Sequence, residues 1–348
     1  MELPIPAHFD PGRVGEVWRV PYEETALGAS RWRQAHSIPP AAADDVRINL
    51  LLVDVQNTFC IPGFELFVGG RSGSGAVDDN RRLCEFIYRN LKRITRIGVT
   101  MDTHHAIQIF HSIFLVDREG NYPPPHTQVT AEDVRAGKWR FNPALTRSLG
   151  VSDGFGDALL HSYTEQLKTA GKYNLTTWPY HAILGGIGHA LVSAVEEAVF
   201  FHTISRESQA STFLKGENTF TEHYSAVGPE IRTGPSGESL GSVNRELLEF
   251  VRECDALVIA GQAKSHCVAW TVSDLLDEIR PGDEGGAGKF YLIEDCTSPV
   301  VVPGVVDFTE AADDAFSRFA AAGVNVVESA TPMETWPGLL SRRKENSG

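Results

Sequence analysis

The sequence has few cysteines, and they are arranged without pattern. Five are present, an odd number, and no two of them have CxxC spacing; they are Cys60, Cys84, Cys254, Cys267 and Cys296. A disulfide framework and a cysteine-based zinc knuckle both require a more regular set. The cysteine usage therefore indicates a protein of a reducing compartment.

Basic residues and long apolar runs are also scarce. The chain has 31 Lys and Arg against 45 Asp and Glu, a formal net charge of −14, which disfavours attraction to nucleic-acid phosphates or to anionic membranes. Eighteen consecutive apolar residues occur nowhere, and the opening residues MELPIPAHFDPGRVGEVW do not have the pattern of a leader peptide. We expect a cytoplasmic protein that binds neither nucleic acid nor a membrane.

Short apolar segments alternate with helical patterns along most of the 348 residues. Such alternation requires crossover connections, and it therefore predicts a three-layer α/β/α sandwich with a mainly parallel, six-stranded sheet. The predicted strands are 48–54, 97–102, 211–215, 256–261, 290–295 and 324–329. Predicted helical faces lie at Leu83, Ile87, Leu91 and Ile94, and in 187–199, 241–253, 266–279 and 307–322.

The pattern divides the chain into three parts. Residues 1–47 have no clear period and are expected to be an N-terminal extension that packs on the core, 48–330 to be the main domain, and 331–348 to be a C-terminal tail. Within the domain, 113–177 interrupts the alternation with DREGNYPPPHTQ and a polar, helix-like segment. We interpret it as an insertion near the edge of the sheet that binds ligands.

Reactive side chains follow four of the predicted strands. Asp54, Asp102 and Lys215 each end a strand, and Cys267 lies just past another. Each has an ordinary interpretation by itself, as a helix cap, a solvated charge or a small buried hydrophobe. Because ligands of parallel sheets bind at the carboxyl ends of the strands, the coincidence of four such residues predicts a site.

The position of Cys267 suggests nucleophilic catalysis. It lies where a helix should begin, and the amide dipoles there, together with a nearby lysine, would lower the pKa of the thiol. Asp54 could shuttle a proton between the thiol and a leaving amine. Backbone N–H groups in the QAKSHC turn could hold a developing oxyanion.

A second group of residues suggests a metal site. Asp102 and His104 stand at i and i+2, so both point the same way at the end of an extended strand, and His181 is a candidate third ligand. Three protein ligands leave positions open for water, as in catalytic sites. The alternative is that these are ordinary loop histidines, since His105, His111 and His126 are present as well.

Three of these segments resemble the isochorismatase-like cysteine hydrolase superfamily over 48–330, apart from the insertion. DVQNTF is similar to its D-x-Q-x-x-F motif, FLKG to its lysine motif and GQAKSHCV to its G-x-A-T-D-x-C-V motif. The resemblance implies a catalytic triad of Asp54, Lys215 and Cys267. It also implies a cis Gln262–Ala263 peptide, with the amides of Ala263 and Cys267 as the oxyanion hole.

Within that superfamily the sequence resembles the nicotinamidases, through Asp102-Thr103-His104, His111-Ser112-Ile113-Phe114 and Trp178-Pro179-Tyr180-His181. This resemblance implies a divalent metal, Zn²⁺ in the first place with Fe²⁺ or Mn²⁺ as alternatives, and self-association into a homo-oligomer. The implied ligands are Asp102, His104 and His181, with His111 as a further candidate. The implied substrate-binding residues are Phe59 and Trp178 around a pyridine ring, together with Gln262.

The leading hypothesis is therefore hydrolysis of nicotinamide to nicotinate and ammonia through a Cys267 thioester, a step of NAD salvage. The sequence departs from the family at Lys264-Ser265, at Thr103 and in the length of 113–177. These departures keep a second hypothesis open, hydrolysis of another small amide, carbamoyl or ureido compound. A binding protein with a degenerate pocket and a dinucleotide site at Gly185-Gly186-Ile187-Gly188 are further alternatives.

Overall fold

A six-stranded sheet forms the centre of the computed structural model, which describes residues 2–278 and 286–339. The sheet order is β12-β9-β8-β1-β2-β7, and all neighbouring pairs are parallel. In chain order the strands are β1 (Ile48–Val53), β2 (Ile94–Asp102), β3 (Leu115–Val116), β4 (Gln128–Val129), β5 (Arg140–Phe141), β6 (Leu175–Thr176), β7 (Ser211–Lys215), β8 (Ala256–Gly261), β9 (Phe290–Ile293), β10 (Val301–Val302), β11 (Val306–Asp307) and β12 (Asn325–Val327). The six predicted strands are the six strands of this sheet, so the predicted fold class is confirmed.

Helices cover both faces of the sheet. In chain order they are α1 (Tyr22–His36), α2 (Asn57–Cys60), α3 (Gly75–Arg89), α4 (Ala131–Arg135), α5 (Thr146–Leu149), α6 (Phe155–Thr169), α7 (Ser193–Arg206), α8 (Arg245–Arg252), α9 (Ala269–Glu278) and α10 (Thr309–Ala321). Helices α3 and α7 pack on one face, while α8, α9 and α10 pack on the other. Among the described residues, no helix is both long enough and apolar enough to span a membrane.

The central strand β1 is covered by helices on both faces of the sheet. All six of its residues are buried, as expected of a parallel strand covered by helices on both faces. Because side chains alternate along a strand, Leu50 and Leu52 join the apolar core of α3 and α7. Leu51 and Val53 join the core of α8 to α10.

Three of the predicted helical faces were wrong at one end, and one of them, 241–253, begins only at Arg245 as helix α8. Helix α3 ends at Arg89, so Leu91 lies in a turn and Ile94 begins β2. The predicted helix 187–199 begins only at Ser193, because the glycine-rich stretch before it forms a loop in which Gly185 has a φ of +80°. The predicted helix 266–279 begins with a π-helical turn at 264–268, and its last residue lies outside the described residues.

The segments around the sheet make specific contacts with it. In the N-terminal segment, helix α1 packs against α7, and residues such as Val14 belong to the main apolar core. The inserted segment 113–177 contains β3 to β6 and α4 to α6. It contributes most of a third apolar cluster, which also includes residues outside the segment such as Tyr224 and Ile231. Of the predicted C-terminal tail, 340–348 lies outside the described residues.

Candidate active site

The carboxyl ends of β8, β1, β2 and β7 lie side by side, since these four strands are consecutive in the sheet. Asp54 directly follows β1, and Asp102 and Lys215 are register partners at the ends of β2 and β7. Cys267 lies in the π-helical turn that follows β8. The structure therefore brings together the four side chains that the sequence analysis placed at this edge.

Gly261 allows the ends of β8 and β1 to approach closely. It has a φ of +119°, and a Cβ atom at this position would lie 2.1 Å from the backbone oxygen of Val53. Any other residue would push the two strands apart at the point where Asp54 and the turn carrying Cys267 begin.

Lys215 is the centre of the cluster. Its Nζ atom lies 2.9 Å from Asp102 Oδ1, 3.0 Å from Asp54 Oδ2 and 3.7 Å from Cys267 Sγ, and it donates to the His223 carbonyl at 2.8 Å. The side chain is almost completely buried. Burial lowers the pKa of Lys215, but the charges of Asp102, Asp54 and Cys267 outweigh it and hold the pKa well above its usual range. Lys215 is therefore a fixed positive charge.

Asp54 is held in an unusual backbone conformation by Thr100. Its φ is +47°, its N–H donates to Thr100 Oγ1 at 3.1 Å, and its Oδ1 accepts from the same hydroxyl at 2.5 Å. Burial raises the pKa of this carboxyl above its ordinary value, although the Lys215 charge opposes the shift. A carboxylate with a raised pKa is a stronger base than a solvated one.

The expected lowering of the pKa of Cys267 was wrong for the free protein. Burial raises the pKa of this thiol well above its ordinary value, and the charge of Lys215 only partly offsets burial while Asp54 and Asp102 add to it. The thiol is therefore protonated at rest. Asp54 shares a hydrogen bond with it and is in place to take its proton.

Asp102, His104 and His181 form a compact cluster whose potential ligand atoms all lie within 4.8 Å of one another. Asp102 Oδ2 lies 2.8 Å from His104 Nε2 and 3.6 Å from His181 Nε2. The Nδ1 atoms face backbone carbonyls, at 3.2 Å from Gly216 and 2.8 Å from Pro179. Since a carbonyl only accepts, each Nδ1 carries a proton and each Nε2 can present its lone pair to a cation.

His111 extends this arrangement. Its Nδ1 lies 3.1 Å from the Ala106 carbonyl, while its buried Nε2 has no hydrogen-bond partner among the described residues. Its ring lies 6.1 Å from that of His104 and 6.2 Å from that of His181. Two or three imidazoles and one carboxylate are a donor set that suits Zn²⁺, Fe²⁺ or Mn²⁺, so the residues present fit a divalent metal.

Pairing between loops brings these residues together. His104 and Ile183 form one β-bridge and His111 and Trp178 another, so the WPYH loop runs beside the loop that follows β2. Gln56, the glutamine of the DVQNTF motif, accepts from the Asp102 N–H at 2.7 Å and donates to its carbonyl at 2.9 Å. It thereby fixes the backbone of Asp102, a candidate metal ligand.

A small cavity of about 30 Å³ lies beside Cys267. Phe59 and Trp178, the aromatic pair that the sequence analysis expected around the substrate, are among its lining residues. Gln262, predicted to contact substrate, is not among its lining residues. The Gln262–Ala263 peptide is cis, and Ala263 lines the cavity.

Three polar lining residues were missed by the sequence analysis, namely Glu222, Tyr224 and His266. Glu222 is 5% exposed, and its Oε2 has no hydrogen-bond partner among the described residues. Tyr224 accepts a hydrogen bond from Trp178 Nε1 at 3.1 Å. Glu222 and Tyr224 follow β7 in an irregular loop, where no periodic pattern identifies side chains that point inward.

The insertion contacts the nucleophile loop directly. Tyr173 donates through its hydroxyl to the Ser265 carbonyl at 3.1 Å, and its ring packs against His266. Tyr163 accepts from the Glu222 N–H at 2.9 Å. The segment 113–177 therefore supports one wall of the cavity.

The glycines Gly185, Gly186 and Gly188 lie in a loop beside α2, not between a sheet strand and a helix.

Two structures of the yeast nicotinamidase Pnc1p resemble this chain. One is 17% identical, covers 81% of this chain and 99% of its own, and has a TM-score of 0.50. The other, bound to the inhibitor nicotinaldehyde, is 16% identical with the same coverage and a TM-score of 0.51. Neither a scan against protein-family models nor a search of the curated proteins finds a match. In overall architecture, this chain has the isochorismatase-like α/β fold of the yeast nicotinamidase.

Proposed function

We propose that the protein is a cysteine amidohydrolase of the nicotinamidase type, which hydrolyses nicotinamide to nicotinate and ammonia. The observation that carries the proposal is the contact of one lysine with the carboxylate of Asp54 and the thiol of Cys267 beside a cavity. A yeast nicotinamidase has the same fold, and two of the lining residues are the aromatic pair Phe59 and Trp178.

In the first half of the reaction, Asp54 takes the thiol proton and the sulfur of Cys267 attacks the carboxamide carbon. Lys215 stabilises the thiolate and the Asp54 carboxylate as charge moves between them. The amide N–H groups of Ala263 and Cys267 receive the developing oxyanion. When the C–N bond breaks, Asp54 gives its proton to the departing nitrogen, and ammonia leaves a thioester on Cys267.

In the second half, Asp54 takes a proton from water, and the resulting hydroxide attacks the thioester carbon. The C–S bond breaks, Asp54 returns the proton to sulfur, and the acid is released. Asp102, His104 and His181, with His111 as a fourth candidate, would hold a divalent metal. When bound, that metal would act as a Lewis acid and would orient the substrate through its ring nitrogen.

A second candidate, hydrolysis of a different small amide, is favoured by one observation. Glu222 brings to the cavity wall a buried carboxyl oxygen that has no hydrogen-bond partner within residues 2–278 and 286–339. Burial raises the pKa of Glu222 well above its ordinary value, with Asp102 and Glu230 adding to the shift, so it can donate a hydrogen bond as well as accept one. We propose that Glu222 contacts a polar group of the substrate.

The test is ammonia release by the purified protein with nicotinamide and a panel of small amides, carbamoyl and ureido compounds. We expect turnover of nicotinamide that is abolished in Cys267→Ala, and a stoichiometric divalent metal that is lost in His104→Ala. Retained turnover in Cys267→Ala would contradict the mechanism. Turnover of another panel member in preference to nicotinamide would establish the second candidate.

A further inference from the structure

Asp79 lies behind the nucleophile loop, outside the cavity. It belongs to α3, its side chain is 3% exposed, and its carboxylate accepts hydrogen bonds from the side chains of Gln262, Arg82 and Ser298. Oδ2 accepts from Gln262 Nε2 at 2.8 Å, and Oδ1 accepts from Arg82 Nη2 at 2.8 Å. Burial raises the pKa of Asp79 to about 6, although hydrogen bonds from Ser298 and Gln262 and the charge of Arg82 oppose the shift.

Both polar atoms of the Gln262 side-chain amide have a partner, an acceptor for Nε2 and a donor for Oε1. Its Nε2 donates to Asp79, which accepts as a carboxylate, and its Oε1 accepts from the Ser298 N–H at 3.2 Å, which can only donate. The amide therefore has one orientation. The Gln262 N–H also donates to the Val53 carbonyl at 2.8 Å, so this residue is anchored through both its backbone and its side chain.

Ser298 is itself tied to the same loop. Its carbonyl accepts from the Lys264 N–H at 2.8 Å, two residues beyond Gln262. Gly75 allows α3 to approach it, since a Cβ at Gly75 would lie 2.6 Å from Ser298 Oγ. Helix α3, the loop at Ser298 and the loop before Cys267 are thus joined by one buried network.

We propose that Asp79 is a positioning residue for catalysis, which acts through the Gln262 side chain to hold the Gln262–Ala263 peptide and the amides that follow it. This inference rests on the proposed function, because it assigns those amides to the oxyanion. Removing one oxyanion donor from an enzyme costs roughly 10²–10³ in rate. Loosening the backbone that carries the donors should cost less, about 10- to 100-fold in kcat.

The test compares three variants with a matched control. Asp79→Asn leaves one acceptor for the Gln262 and Arg82 donors, and Gln262→Glu places two carboxylates against each other. The double variant Asp79→Asn/Gln262→Glu restores the match in reverse, because the new Asn can donate to the new Glu and accept from Arg82, and the Ser298 N–H still has an acceptor. Asp78→Asn is the control, since Asp78 pairs instead with Ser74 and Arg81.

We expect kcat for nicotinamide to fall about 10- to 100-fold in each single variant with KM within threefold, and to recover to within about fivefold of wild type in the double variant. Binding of nicotinaldehyde should weaken in parallel with kcat, and binding of nicotinate should not. A kcat within twofold of wild type in Asp79→Asn, or a double variant no better than either single one, would overturn the proposal.

A readout without substrate separates this proposal from the proposed function. Alkylation of Cys267 by iodoacetamide, followed by mass spectrometry, reports how the loop holds the thiol. Its rate should change at least threefold in both single variants and return towards wild type in the double variant. Unchanged rates would contradict the role of Asp79, whereas a wild-type protein inactive on every amide would contradict only the proposed function.

Discussion

Two buried cations, Lys215 and Arg206, have opposite surroundings. Arg206 is fully buried at the end of α7, and its N–H groups bond to both carboxylate oxygens of Asp44 and to the carbonyls of Pro39 and Ile94. Asp44 is the only ionisable group among these acceptors, so one cation is matched with one anion. Such a network stabilises one arrangement of the chain, and it fixes the N-terminal segment to the sheet.

Lys215 has more acceptors than donors. Its three N–H groups face Asp54, Asp102, the His223 carbonyl and the sulfur of Cys267. In the proposed mechanism a proton moves between Asp54 and the sulfur of Cys267, so the negative charge moves as well, and Lys215 can stabilise it in either position. The difference teaches that a buried cation with matched partners is structural, while one shared among several ionisable groups supports proton transfer.

The largest expected effect comes from removing the shared cation. Lys215→Met leaves Asp54 and Asp102 facing each other without their counterion and leaves the thiolate without a partner. We expect kcat to fall about 10³-fold, in line with the roughly 10²–10³ lost when one stabilising donor is removed from an active site. Ammonia release measures it, with circular dichroism as the check of folding. A kcat within tenfold of wild type would mean that Lys215, like Arg206, stabilises the fold and does not take part in the reaction.

Arg206→Met should show the reverse pattern. It leaves Asp44, whose side chain is only 10% exposed, as a buried charge without its cation, which typically costs about 3–5 kcal/mol. We expect the free energy of unfolding, measured in urea, to fall by about this amount, while kcat below the transition stays within twofold. The double variant Arg206→Met/Asp44→Leu should recover part of the loss. A loss below about 1 kcal/mol would show that the matched network does not stabilise the fold.

His202 belongs to the same buried network as Arg206. Its Nε2 lies 2.9 Å from the Ile94 carbonyl, which also accepts from Arg206. Burial lowers the pKa of His202 to about 4, with the charge of Arg206 adding to the shift. Since this pKa lies below the unfolded value of about 6.5, protonation favours unfolding, and stability is lost as the pH falls from about 6.5 to about 4.

The corresponding variant is His202→Gln, which keeps a donor for Ile94 and removes the titration. Wild type should lose about 2–3 kcal/mol more than this variant between pH 7.5 and pH 4.5, measured by urea unfolding at both values. Equal losses in the two proteins would mean that His202 does not carry this acid sensitivity.

The smallest expected effect concerns Glu222, whose Oε2 atom has no hydrogen-bond partner in the part of the chain that the structure describes. Glu222→Leu should raise KM about threefold to tenfold, the worth of one hydrogen bond, with kcat less affected, and Glu222→Gln should stay closer to wild type. Steady-state kinetics with the best amide of the panel measures both. An unchanged KM in Glu222→Leu would mean that the substrate does not contact this carboxyl.

The strands and the sheet edge at which the candidate site lies could be predicted, because the apolar pattern of a strand and the residue that ends it are local features of the sequence. Apolar strands that end in Asp54, Asp102 and Lys215 predict both the sheet and the edge at which the side chains meet. Helix ends were less predictable. Leu91 and Ile94 continue an apolar period that also suits a turn and a strand, and no local pattern separates the two.

What the sequence could not predict depends on tertiary packing. The pKa of Cys267 is set by burial, which outweighs the helix and the lysine on which the prediction relied. Gln262 is turned away from the cavity by Asp79, 183 residues earlier in the chain. Arg206 and Asp44 are likewise 162 residues apart, and no spacing rule connects them.

The central claim is that a carboxylate, an ammonium and a thiol meet at one edge of the sheet and make Cys267 a nucleophile. Mass spectrometry of the protein quenched in acid during turnover of nicotinamide tests it most directly. The account predicts an acyl group on the peptide that contains Cys267 and none on Cys60, Cys84, Cys254 or Cys296. Turnover with an unmodified Cys267, or an acyl group on another cysteine, would contradict it.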